Sequence, residues 1–187
     1  MKRLFIAIKI IPDENFLDIY NSLKNNLKTD LIKWVEPDKM HLTLKFLGET
    51  HEKEIPKIKQ LLQDFTLTHS EFEISFDKVG IFGSSYNPRV IWFGMGNNEK
   101  IRSLGENLLN YFNENGYKRD RQNFVPHLTV GRIKKLENKK FFQKQIDKVK
   151  EKHLQTFSVS EIILFQSRLT PQGPIYTELG KFNLKSN

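Results

Sequence analysis

The tripeptide His-Leu-Thr occurs twice in this chain, at 41–43 and 127–129. The first copy sits in MHLTLKFLG (40–48) and the second in PHLTVGR (126–132). Both stretches read as strands, where residues two apart share a face. His41 and Thr43 then point one way, and Leu42 and Leu44 the other. The same holds for His127 and Thr129 against Leu128 and Val130. One such strand means little, because a locally bonded histidine next to a strand-forming threonine is ordinary structure. Two in matching contexts describe two halves of one pocket. An imidazole with an ordinary pKa near ~6.5 can take a proton in one state and give it in the other. One histidine could deprotonate an attacking water while the other protonates a leaving alkoxide, each role contributing about 10²–10⁴ in rate. The two hydroxyls could donate to the non-bridging oxygens of a phosphodiester, where charge builds in the transition state.

Other residues near the motifs are weaker candidates. Arg132 could hold phosphate, but position +5 from His127 falls on the Leu128 face of a regular strand. A bulge or strand end at Gly131 would resolve that parity. Lys45 shares the His41 and Thr43 face by parity, at a groove edge or in solvent. Phe46 and Trp34 could stack on a base, although packing is the commoner role for such residues. Lys118, Arg119 and Arg121 form a basic stretch leading into the second motif, either a track for an RNA backbone or a solvated loop. His51, His69 and His153 lack a paired context and read as surface residues. There is no His-Glu-x-x-His and no dense Asp/His cluster, so neither a metal nor another cofactor is expected.

These residues need a scaffold, and 187 residues suffice for one, as a single unit over 1–187 or two tightly packed lobes. Fifteen Phe argue against disorder. Thirty Lys plus Arg against 22 Asp plus Glu give a net charge of +8, which suits an anionic partner such as RNA. The absence of Cys excludes disulfides, thiolate nucleophiles and cysteine metal sites, and fits the cytoplasm. The N-terminal MKRLFIAIKIIPDEN has two basic residues and an apolar run, yet Lys9 interrupts it and no small-residue cleavage pattern follows. It reads as a buried first strand. No apolar stretch approaches the ~20 residues of a membrane span.

Periodicity predicts a strand over 4–11, a helix after Pro12-Asp13 and a short strand over 32–35. A strand over 41–47 ends at Gly48 and a helix covers 52–65. A strand over 72–76, a Gly/Ser/Asn/Pro loop over 80–88 and a strand over 89–94 follow. Then come a helix over 100–115 closed by Gly116, a strand over 127–132, a charged helix over about 137–152, and strands over 156–166 and 175–182 around the turn 170–173. This order gives an α+β fold with antiparallel pairing. The two motif strands, each followed by a helix and more strand, suggest a degenerate duplication.

The paired motifs, HLTLKFLGE at 41–49 and PHLTVGR at 126–132, resemble those of the two-histidine (2H) phosphoesterases. The branch is that of RNA 2′,3′-cyclic phosphodiesterases, also called 2′-5′ RNA ligase-like. RLFIAIKI, KWVEPDKMHLTL, VGIFGSSYNPRVIWFGM and IYTELGKFNL support the likeness over nearly the whole chain. The resemblance implies a bilobal fold, with two pseudo-symmetric lobes of antiparallel sheet plus helices facing a central groove. It implies metal-independent opening of an RNA 2′,3′-cyclic phosphate end to a 2′-phosphate. His41 would expel O3′ as general acid, His127 would assist the water, and Thr43, Thr129 and Arg132 would bind phosphate. The same site could serve a 2′-5′ RNA ligase, a 2′-5′ phosphodiesterase or a small cyclic nucleotide phosphodiesterase. A non-catalytic RNA-end binding module is the reading from another class. A monomer with no membrane attachment is expected.

Overall fold

A computed structural model describes residues 1–84, 86–119, 124–171 and 173–186. Arg121 of the basic stretch and Gln172 of the last turn lie outside the described residues. The strands are β1 (Lys2–Lys9), β2 (Leu31–Trp34), β3 (His41–Thr50), β4 (Phe72–Phe76), β5 (Lys78–Gly83), β6 (Pro88–Gly94), β7 (Leu128–Lys135), β8 (Gln155–Val159), β9 (Glu161–Thr170) and β10 (Gly173–Asn183). The helices are α1 (Glu14–Asn26), α2 (Ile55–Thr66), α3 (Glu99–Glu114) and α4 (Lys139–Asp147).

The main sheet runs β10-β9-β1-β3-β7-β6-β5, with β2 also paired to β7. Every pairing between its strands is antiparallel. Among the described residues, its two halves meet at one rung between β3 and β7, Leu42 opposite Leu128. The first lobe is thus β10-β9-β1-β3 and the second is β7-β6-β5 with β2. A separate two-stranded sheet pairs β4 with β8.

Each lobe borrows a helix from the other half of the chain. The first-lobe strand β1 leads into α1, which packs on the second lobe: Phe16 lies 5.1 Å from Phe93 of β6, and Tyr20 lies 5.6 Å from Trp34 of β2, measured between ring centroids. The second-lobe strand β6 leads into α3, which packs against β3. One buried cluster therefore joins Leu42 and Leu44 to Leu128 and Val130, and Phe16 to Phe65 and Phe112. Full burial of each such side chain contributes about 1.5–3 kcal/mol relative to exposure. Local signals set the ends: Asp13 caps α1 by accepting from Phe16 N at 2.8 Å, and Asn138 caps α4 by accepting from Phe141 N at 2.9 Å.

Several boundaries depart from the sequence expectations: β1 ends at Lys9, β7 runs on to Lys135 and α2 begins at Ile55, and four further departures have visible causes or consequences. β3 does not end at Gly48, which takes φ 71° and itself pairs with Leu4 after Leu47 is skipped, so that the ladder continues to Glu49 opposite Arg3. Residues 81–83 belong to β5, because Gly80 makes room for an indole: a Cβ there would lie 2.2 Å from the Trp92 ring. The run over 156–166 divides at Ser160 into β8 and β9, which serve different sheets. The charged helix ends at Asp147.

Candidate active site

The Leu42–Leu128 rung sets the relation between the two motifs. In its antiparallel register His41 faces Thr129 and Thr43 faces His127, all on the side away from the buried leucines. The four polar residues thus form a rectangle around a local pseudo-twofold axis. All four are partly exposed, while Leu42, Leu44, Leu128 and Val130 are buried.

Both imidazoles are held alike. His41 Nδ1 lies 2.8 Å from the carbonyl oxygen of Lys39, and His127 Nδ1 lies 2.8 Å from that of Val125. A carbonyl only accepts, so each Nδ1 carries a proton and donates. That fixes the tautomer and leaves Nε2, across the ring, to exchange a proton. The surroundings of the two rings differ. His41 lies among Phe5 at 4.9 Å, Tyr176 at 5.1 Å edge-on and Phe165 at 6.2 Å. His127 meets Phe82 edge-on at 4.8 Å. Burial pushes the His41 pKa below the ordinary histidine value; its bond to Lys39 opposes this and the Arg132 charge adds to it.

Bulges settle which flanking residues face the groove. Across β1 and β3, Ala7 pairs with Thr43 and Ile6 with Lys45, so Leu44 is the extra residue. Lys45 therefore turns inward beside Leu44. It is 1% exposed and its Nζ donates to the carbonyl of Lys118 at 2.8 Å. The parity expectation for Lys45 fails for that reason. Phe46 regains the groove face and is 60% exposed. β7 repeats the pattern: Trp92 pairs with Thr129 and Ile91 with Gly131, leaving Val130 as the extra residue. Arg132 thereby returns to the Thr129 face, and its charge acts on both His41 and Tyr176. Gly131 is small because a Cβ would come within 3.1 Å of Ile32 and 3.3 Å of Trp34. By the pseudo-twofold, Phe46 is the counterpart of Arg132.

The remaining candidates lie apart. Trp34 packs on Tyr20 in the core rather than lining the groove. Arg119 is drawn back to Glu106 and Asn110 of α3, and Glu106 also accepts from Phe124 N at 3.0 Å. The stem of the basic stretch is therefore pinned to α3. His69 stacks on Phe65 at 4.0 Å, and His153 Nδ1 lies 3.2 Å from Ser75 Oγ. His51 is exposed. Among the described residues no three His, Cys, Asp or Glu side chains gather as a metal site. No helix among them is long and apolar enough to cross a membrane.

Sequence reasoning missed Phe5, Phe165 and Tyr176, which with Ala7 and Ile163 form a second apolar cluster on the groove side. The signal was present. The unbroken apolar run over 4–8 marks a strand covered on both faces, whereas a strand with one wet face alternates.

The profile described as LigT-like phosphoesterase matches residues 8–92 and 95–176, one motif in each segment. The chain belongs to the LigT-like phosphoesterase family. It is 35% identical over 184 residues to a Methanothermobacter thermautotrophicus protein named RNA 2′,3′-cyclic phosphodiesterase, covering 97% of this chain and 98% of that one. A Methanocaldococcus jannaschii protein of the same name is 38% identical over 177 residues, covering 93% and 96%. Among solved structures, a Thermus thermophilus protein superposes with a TM-score of 0.80 at 27% identity, covering 98% of each chain. E. coli LigT, crystallised with 3′-AMP, gives 0.75 at 23% identity over 98% of each chain, a likeness of fold.

Proposed function

We propose that the protein opens RNA 2′,3′-cyclic phosphate ends to 2′-phosphates without a metal. The observation that carries this reading is the pair of imidazoles, each tied through Nδ1 to the carbonyl two residues back and each facing a threonine. The cyclic phosphate lies between them, and Thr43, Thr129 and Arg132 donate to its non-bridging oxygens. His127 Nε2 takes a proton from water as the water oxygen bonds to phosphorus. The P–O3′ bond breaks, and O3′ receives the proton on His41 Nε2. His41 enters as imidazolium and leaves neutral, and His127 does the reverse, so exchange with solvent resets the pair. The bound anion offsets the Arg132 charge and so favours the protonated His41 that this step needs. Phe46, exposed beyond Thr43, offers a face on which the terminal base stacks. The protein works as a monomer, and the lack of cysteine fits the reducing cytoplasm.

The test incubates the protein in EDTA with a short RNA ending in a cyclic phosphate and resolves the product isomers chromatographically. Wild type should yield the 2′-phosphate. His41→Ala and His127→Ala should each lower kcat by about 10²–10⁴. Turnover surviving both substitutions, or lost in EDTA and restored by a divalent cation, would refute the reading.

A further inference from the structure

Beside His41, on its side away from Thr43, the groove deepens into a pocket of about 320 Å³. Its walls include His41 itself, Phe165, Tyr176 and Ile175, with two lysines, Lys9 and Lys39, and two carboxylates, Asp38 and Glu178, around it. That volume is at the lower end of small-molecule sites, about 300–1,000 Å³, and has room for a single nucleoside. The pseudo-twofold carries this place to the side of His127, and there the second lobe sets Phe82 against the imidazole and Trp92 against Phe82. There the Trp92 indole rests on Gly80 and Gly94, where a Cβ would lie 2.2 and 2.8 Å from its ring atoms. The pseudo-twofold is broken at this place, and the acid–base chemistry gives no reason for it.

The substrate's own geometry gives one. In a ribose 2′,3′-cyclic phosphate the base leaves C1′, next to C2′, and the 5′ chain leaves C4′, next to C3′. If His41 protonates O3′, the ribose edge nearest His41 carries the 5′ chain. The base then points the other way along β3, toward Phe46. The RNA chain must continue past His41, where the pocket opens.

We infer that the pocket beside His41 holds the penultimate nucleotide, so that the enzyme grips a dinucleotide end rather than a lone cyclic nucleotide. This rests on the proposed phosphodiesterase reading and deepens it. The phosphodiester linking the two nucleotides passes the rim, where Lys39 and Lys9 stand. Lys9 Nζ is 3.0 Å from Glu178 Oε1, and the pair is partly exposed, so its carboxylate is placed to accept from a base edge. Tyr176 and Ile175 give the base an apolar bed.

The test measures kcat/KM for a nucleoside 2′,3′-cyclic phosphate and for a dinucleotide ending in the same group. Wild type should favour the dinucleotide by roughly tenfold or more, the contribution of one stacked base. Lys9→Ala should lower the dinucleotide-to-mononucleotide ratio by about threefold, as loss of one partly screened charge contact does. Ile175→Glu should lower the ratio further; this residue is 42% exposed, so the change leaves the core intact. Equal preference in wild type, or equal losses on both substrates in both variants, overturns the subsite. A wild type that opens neither substrate overturns the phosphodiesterase reading itself.

Discussion

At the scale of single residues, Arg132 is the most informative test of the groove's electrostatics. It faces His41 across the site and helps hold that imidazole's pKa down. Arg132→Met should cut kcat/KM by about 10–100-fold, the loss of a charge-assisted hydrogen bond to phosphate. It should also raise the His41 pKa, read by NMR titration of the ring protons, although burial, the larger cause, remains. If His41 acts as acid, kcat/KM in wild type should begin to fall with rising pH on the acid side of the ordinary histidine value. The variant's falling limb should then move to higher pH. The stability linkage has its own sign. The folded pKa is lowered, so the His41 contribution is complete above the unfolded value and fades as pH drops toward the folded one. The histidines and threonines were legible because their spacing matches the strand period. The fate of Lys45 was not, since parity reverses at an extra residue that only the pairing of β1 with β3 reveals.

At the scale of elements, the chain entering the second motif is set by α3. Glu106 bonds both Arg119 and Phe124 N, and Gly105 leaves room for the Phe124 ring, which a Cβ would meet at 2.3 Å. Gly105→Ala should destabilise the fold by about 1–3 kcal/mol through overpacking. It should also lower kcat, because Phe124 is three residues from His127. Thermal melting and single-substrate kinetics check the two effects. An unchanged melting temperature would show that the ring has slack. Most elements could be read from the sequence, because amphipathic periods and caps are local. The strand identity of 81–83 could not. Gly80 and Gly83 look like loop residues until Trp92, twelve positions beyond Gly80, is seen lying over Gly80.

At the scale of the whole molecule, the helix exchange predicts cooperative unfolding. Because α1 covers the second lobe and α3 packs on β3, neither lobe closes its core alone. Calorimetry should show one transition, with calorimetric and van't Hoff enthalpies in agreement. Leu42→Ala, at the rung between lobes, should cost about 2–5 kcal/mol and move that transition without splitting it. Two separated transitions would contradict the exchange. The net charge of +8 predicts that kcat/KM for RNA falls as salt rises. The duplication itself was visible in the repeated motif. The exchange was not, since no local pattern tells a helix which lobe it will cover.

The pseudo-twofold at Leu42 and Leu128 has a consequence for regiochemistry. Rotation about that axis carries His41 onto His127 and Thr43 onto Thr129, so the four polar residues are ambidextrous. They would serve a ribose bound in either orientation, releasing O3′ in one and O2′ in the other. What the axis does not map onto itself is the pair Phe46 and Arg132, an aromatic face at one end and a fixed cation at the other. In the proposed reaction the choice of product isomer would therefore fall to groups that need never move a proton: these two residues and the pocket beside His41.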